Sequence, residues 1–414
     1  MAGRSASVRR LAGGSAVAAL VGLVFAVMAN PVASAASRAT PGPVVFGLSQ
    51  DSPEQAGQKP AAKTPGKKDP LAKLNEPWPD AEQLASSRVE AENRPLFGSD
   101  EPLAFTLTAD FAAINRERDE NSTRRFPAVM QLQGEGGSTV QVPVQLSARG
   151  HARRNVLVCS VVPLRLEFSK KDVKGTVLDG QRELKLVTHC QNDRYYEQYV
   201  LTEYLAYRLY ALLTPRSFRT RLVRATYVDS ARNRTPVPRY GMLVEHEDDL
   251  ARRLEGRIAT LPNRPFKAFD HDALTWMFLV QFMVGNTDYS IMALHNIKIV
   301  SDRRGTLYPI GYDFDYSGLV DTRYAVADKR LGIYSVRDRL YRGPCRTARE
   351  FEPFLATLRA SGPDVLALVD AVPDVTPGTR QDARKYLNEF LSLVGDPPRI
   401  QRVFDKSCVS ASGM

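Results

Sequence analysis

A chain of 414 residues with 27 prolines, four cysteines and a formal charge of +10 is long enough to bury one large core or two lobes that share one. Arg4, Arg9 and Arg10 account for part of that charge, so the rest is near +7 (~7), a modest excess that does not by itself indicate nucleic acid as a partner. The cysteine spacing matches no zinc motif.

In chain order, the first feature is a basic start, an apolar run over 16–29 and the small residues Ala33, Ser34 and Ala35. Together they predict a signal peptide over 1–35. The run is shorter than the roughly 20 residues a spanning helix needs, and no later stretch is longer. An exported protein is therefore expected, in the periplasm, at the cell surface or in the medium, with no stable membrane span after signal cleavage. Nucleic acid is not an expected partner there. Residues 36–97 are rich in Pro, Ala, Gly and Lys and read as a disordered linker, because such a composition buries too little apolar surface to offset its ordering entropy. Globular composition follows over 98–396, and 397–414 reads as a tail.

Alternating apolar and polar residues predict strands over 103–108, 128–132, 140–146, 164–168 and 183–187, with turn signals such as Gly134–Gly137 between them. Leu201, Leu205, Leu209 and Leu212 make one apolar face of a helix over 194–213. Two more strands are expected over 222–228 and 240–244. The remainder reads as mostly helical. Asp270 or Asp272 can cap an apolar helix through Met277, a hairpin spans 296–312, and helices are expected over 348–360, 363–372 and 379–394. An even number of cysteines in an exported chain suggests disulfides, with three connectivities open. Cys159 with Cys190 is favoured because they flank two strand-like segments that could pair, which leaves Cys345 with Cys408.

Three short stretches could carry chemistry: Asn286-Thr287-Asp288, His295-Asn296, and Asp313-Phe314-Asp315. If Val300 faces Thr306 across the hairpin turn, Asn296 faces Ile310 and Asp313 lies just beyond. Asn296, Asp313 and Asp315 then gather at the open end of the hairpin, with the loop bearing Asp288. Oxygen ligands so placed suit Mg²⁺ or Mn²⁺, and a metal beside a free Asp is an arrangement that phosphoryl transfer uses. Arginines cluster at Arg149, Arg153 and Arg154 and again at Arg216, Arg219, Arg221 and Arg224, as a solvated face or as an attractor of phosphate.

These stretches resemble the catalytic and metal-binding segments of the CotH-type kinases, atypical secreted protein kinases first associated with spore coats. Arg149-Gly150-x-x-Arg153, the strand Leu164–Phe168, the strand Glu183–Val187 with Asp193 after it, and Gly241 to Glu245 are similar to that family's other blocks, in the same order. The resemblance implies an α+β, two-lobed protein-kinase-like fold, with a strand-rich N-lobe over 98–247 and a helical C-lobe over 248–396. It implies transfer of the γ-phosphoryl group of ATP to a Ser, Thr or Tyr hydroxyl of a protein substrate, with Mg²⁺ or Mn²⁺. By position, Asp288 is the catalytic aspartate, and Asn296 and Asp313, with Asp315 beside them, hold the metal. Lys185 meets the nucleotide phosphates, with Arg165 as the weaker candidate and Arg149 from the Arg-Gly motif nearby. Glu203 pairs with Lys185, with Glu197 competing, and Glu245 to Glu247 border the adenine. The Asp288 to Asn296 spacing is longer than the usual kinase catalytic loop, Gly134–Gly137 is a candidate nucleotide loop, and His151-Ala152 follows the Arg-Gly pair where Asn-Ser is usual.

Other roles stay open for the same residues. Asp313 and Asp315 suit turns, Lys185 and Arg165 suit a solvent face, Glu203 suits a charged helix surface, and His295 suits a structural contact. Two other functions also stay open: a catalytically inactive kinase-like binding module of the cell envelope, and a metal-dependent phosphoester hydrolase using Asp288, Asp313 and Asp315.

Overall fold

The alternating segments pair into strands β1 (Leu103–Ala109), β2 (Phe126–Gln133), β3 (Thr139–Ala148), β4 (Leu164–Phe168), β5 (Glu183–Val187), β6 (Thr220–Asp229) and β7 (Pro238–Val244). They close into a barrel in the order β1-β2-β3-β4-β5-β7-β6. Every neighbouring pair is antiparallel except β1 with β6, which run parallel where the barrel closes. A separate sheet joins β8 (Arg257–Ile258), β9 (Ile297–Ser301) and β10 (Leu307–Gly311). The helices are α1 (Ala72–Asn75), α2 (Ala81–Glu92), α3 (Phe111–Ile114), α4 (Lys170–Val173), α5 (Tyr195–Leu213), α6 (Glu247–Arg253), α7 (His271–Val284), α8 (Ala348–Ala360), α9 (Gly362–Ala371), α10 (Pro377–Val394) and α11 (Pro397–Asp405). The computed structural model describes residues 72–410 apart from 234 and 237, all within one compact unit. The expected signal peptide over 1–35 and the expected linker up to residue 71 lie outside the described residues.

The two-lobed kinase-like fold is therefore corrected to a closed seven-stranded mixed barrel plus helices. The physical reason is visible in how the strands are buried. Leu186, Val223 and Leu243 point into the barrel core. Their neighbours Val187, Leu222, Met242 and Val244 belong to a second core with α5, α7 and residues as far on as Phe404. The strands β5, β6 and β7 are thus covered on both faces. The second half, expected to be a helical lobe, also holds the three-stranded sheet.

The linker expected over 36–97 is corrected from residue 72 on. Asp80 and Gln83 form a capping box on α2, and Leu84, Ala91 and Leu96 are buried. The tail expected over 397–414 is corrected likewise, because α11 buries Ile400 and Phe404. Both disulfides have the expected partners, Cys159–Cys190 and Cys345–Cys408, which fits maturation in an oxidising compartment. The first spans the antiparallel pair β4–β5. Among the described residues, no helix is long and apolar enough to cross a membrane.

Candidate functional site

The site is assembled where α7 ends. Asp270 caps the start of this helix through the N–H of Ala273. At its end Gly285 turns left-handed at φ 65°, and the N–H of Asn286 closes back on the Gln281 carbonyl at 2.8 Å, a glycine helix stop. Asn286 is buried, and its Oδ1 accepts the N–H of Asp288 at 3.0 Å. This turn fixes Asp288 on the loop. Asn296 then donates from Nδ2 to the Asp288 carbonyl at 2.8 Å and to its Oδ2 at 3.2 Å, while the His295 ring lies 3.0 Å from Oδ1. His295 therefore has the structural contact that its type suggests.

The hairpin brings the aspartates to the same end, although its register differs from the expected one. Val300 faces Tyr308, not Thr306, because Asp302 folds residues 302–306 into a loop by accepting the N–H groups of Arg304 and Thr306. Asn296 consequently accepts the N–H of Tyr312, directly before Asp313. Phe314 is buried against Tyr207, with ring centroids 4.9 Å apart, and the hydroxyl of Tyr207 accepts the N–H of Asp313. Asp313 itself sits at φ 64°. The N–H groups of Gly318 and Leu319 bond to the carbonyls of Gly285 and Val284, which ties this segment to the end of α7.

Around this backbone the charges fall into two groups. One is acidic. Glu203 is buried, and burial together with Asp315 and Asp313 pushes its carboxyl well above the usual range. Asp315 accepts from the Tyr324 hydroxyl at 3.0 Å, and burial and Asp313 push it up to about 7. Arg153 is the cation facing this group. Burial opposes its charge, but Tyr324, Asp315, Glu203 and Asp313 raise its pKa.

The other group is basic. Lys185 on β5 stands opposite Arg165 on β4, with its Nζ 3.7 Å from Glu247 and 5.1 Å from the centre of the Tyr312 ring. Lys298 on β9 is closer to the same carboxylate, at 2.8 Å. Burial would raise the Glu247 pKa, yet Lys185 and Lys298 hold it down to about 2. Burial and Arg149 lower Lys185 to about 8, against the pull of Glu247. The two shifts differ because Glu247 has two cations beside it, while Lys185 is lowered by burial, Arg149 and Lys298 against the pull of Glu247 and Asp313. Lys185 is thus a cation short of negative charge.

The expected site residues divide accordingly. Asp288, Asn296, Asp313, Lys185, Arg149 and Glu247 are brought together. Glu203 is neither a surface charge nor the partner of Lys185; it faces the Asp313–Asp315 segment, and Glu247 takes the pairing. Glu197 is engaged by Arg239 at 3.3 Å. Glu245 does not border a ligand: it is fully buried between Arg219 and Arg253. Arg165 is the solvent-face position of the pair, 42% exposed and bound to Glu183. Asp315 is buried beneath Tyr324 and is not positioned as an open ligand. Gly134–Gly137 forms the turn between β2 and β3. Sequence reasoning gave no role to Lys298, Tyr312 or Tyr324, and it read Arg153 as a solvated or phosphate-attracting arginine, not as the cation facing Asp315 and Glu203. Lys298 alternates with the apolar residues Ile297 and Ile299 on the strand that follows Asn296, which was the available signal.

Among the described residues, no three His, Cys, Asp or Glu side chains are close enough to form a metal cage. Mg²⁺ seldom uses one; it binds through one or two carboxylates together with substrate phosphates. The oxygen donors Asp313 and Asn296, beside carboxylates that repel each other, fit that mode. No protein-family model matches this chain, and no curated protein matches it closely enough to count as a relative.

Proposed function

We propose that this protein is an exported phosphotransferase that moves the γ-phosphoryl group of ATP to a hydroxyl of a protein substrate, and that it is related to the CotH-type kinases through its site segments. Since the fold is a closed barrel plus helices, support comes from the site alone. The observation that carries this reading is the pairing of opposite charge surpluses at Asp313: Lys185 and Lys298 share Glu247 on one side, with Arg149 adding positive charge beside Lys185, and Glu203 and Asp315 press against Asp313 on the other. A phosphate chain supplies the anion that the first group lacks, and a divalent cation supplies the charge that the second group lacks.

In this reading Lys185, Lys298 and Arg149 bind the nucleotide phosphates. Asp288, oriented by Asn286, Asn296 and His295, accepts the proton of the attacking hydroxyl. Asp313 and Asn296 would hold Mg²⁺ or Mn²⁺, which neutralises phosphate charge when bound. Tyr324 and Arg153 keep Asp315 in place behind them. The test is transfer of label from γ-labelled ATP to an added acceptor protein. Asp288→Asn is expected to lower the rate at least 100-fold (~10²) while ATP still binds, as loss of a positioned base does; an unchanged rate overturns the assignment.

A further inference from the structure

A cavity of about 560 Å³ opens on a different wall of the barrel, between α3, β6 and the residues that follow β5. Its size falls within the range of small-molecule sites. Its base is aromatic. Tyr227 meets Phe111 edge-on at 5.3 Å and lies 5.5 Å from the His189 ring. The Cys159–Cys190 disulfide anchors the side formed by Ser160 and His189, where the N–H of Val161 also bonds to the Cys190 carbonyl.

Two features point to an occupant. The Tyr227 hydroxyl and His189 Nδ1 are both buried and have no hydrogen-bond partner, although buried polar groups are nearly always paired. His189 is also kept neutral near pH 7, because burial and then Arg239 lower it to about 4. At the rim, Arg116, Arg232 and Arg239 line the cavity against the single carboxylate of Asp229. Arg239 is held by Glu197. Arg116 and Arg232 make no ion pair with a described residue and are exposed.

We infer that this cavity binds a small organic anion with a flat apolar body, its charge held at the rim by Arg116 and Arg232 and its ring seated against Phe111 and Tyr227. Guanidinium groups suit carboxylate and phosphate because their paired N–H groups match two oxygens. The aromatic base suits a ring through edge and offset packing.

The test is calorimetric titration of the full chain with phenyl phosphate, inorganic phosphate and benzyl alcohol. Phenyl phosphate is expected to bind at least tenfold more tightly than either of the others, since the anion and the ring each contribute. The double variant Arg116→Gln/Arg232→Gln, which changes only exposed side chains, is expected to weaken it at least tenfold. Tyr227→Phe, which fills the same volume without the hydroxyl, is expected to weaken it about threefold. Lys185→Met is expected to leave it unchanged, which separates this cavity from the proposed nucleotide site. Equal binding of benzyl alcohol, equal binding of inorganic phosphate, an unchanged double variant, unchanged binding by Tyr227→Phe, or loss of binding in Lys185→Met would each overturn the inference.

Discussion

Lys185 stands 3.7 Å from the Glu247 carboxylate, while Lys298 holds the same carboxylate at 2.8 Å. Two half-buried cations on one anion leave Lys185 incompletely neutralised, and a phosphate chain would complete the set. Lys185→Met is therefore expected to weaken ATP binding at least tenfold without lowering the melting temperature, since Glu247 keeps Lys298 and a poorly compensated buried charge is removed. Calorimetric titration and thermal denaturation of the same preparation check both halves.

The pH dependence has a definite sign. The pKa of Lys185 is lowered to about 8 in the folded protein, against about 10.4 in an unfolded chain. Below pH 8 both states carry the proton and the cost of burying the charge is fully present. Between about 8 and 10 the folded state releases it first, so the stability of the wild type rises relative to Lys185→Met. Over the same window the nucleotide loses its cation, so ATP affinity should be at least threefold weaker at pH 9 than at pH 7, a loss that Lys185→Met should not show.

Glu203 and Glu247 can be told apart by conservative replacement. Glu203 is buried against Asp315 and Asp313, which with burial hold its carboxyl well above the usual range, and it is not the partner of Lys185, so Glu203→Gln is expected to change ATP affinity less than twofold. Glu247→Gln removes the carboxylate that Lys185 and Lys298 share, lowers the Lys185 pKa further and should move the midpoint of the affinity–pH profile downward. Titration of both variants across pH 6 to 9 distinguishes the two glutamates.

Glu245 is expected to matter for folding and not for the ligand. Its carboxylate is fully buried between Arg219 and Arg253, and removing one member of a buried ion network typically costs about 3–5 kcal/mol. Glu245→Gln should lower stability by that order in denaturant titration, with ATP affinity retained at temperatures where the variant is folded. Reduction of the disulfides should act similarly. The loops they close, with sequence separations of 31 and 63, correspond to about 4 kcal/mol each in the chain-entropy account, measurable as a lower denaturant midpoint under reducing conditions.

Local patterns made much of this legible. Period-two alternation located the strands carrying Arg165 and Lys185, and the cysteines flanking them indicated the right pairing. The two acids of Asp313-Phe314-Asp315 were legible as a candidate site, but the burial of Phe314 between them was not anticipated. Barrel closure was not legible, because it depends on parallel pairing of Leu103 with Val223 and their neighbours, a contact between distant segments that neither segment encodes alone. The hairpin register was missed by two residues because the Asp302 side chain enlarges the turn. The partner of Lys185 was misassigned for a related reason. Helical spacing placed Glu203 on α5 but could not tell which neighbour that face would meet, whereas Glu247 opens α6, a helix too short to show apolar periodicity.

Phosphotransfer is resolved by comparing ATP labelled at the γ and at the α phosphate, incubated with the full chain, Mn²⁺ and an acceptor protein. A charge-paired cleft centred on Asp313 predicts covalent label from the γ position only, reduced at least 100-fold (~10²) in Asp313→Ala, as expected for loss of a metal-holding carboxylate. Equal labelling by wild type and Asp313→Ala, or no label from the γ position in a folded wild type that binds ATP, would contradict it.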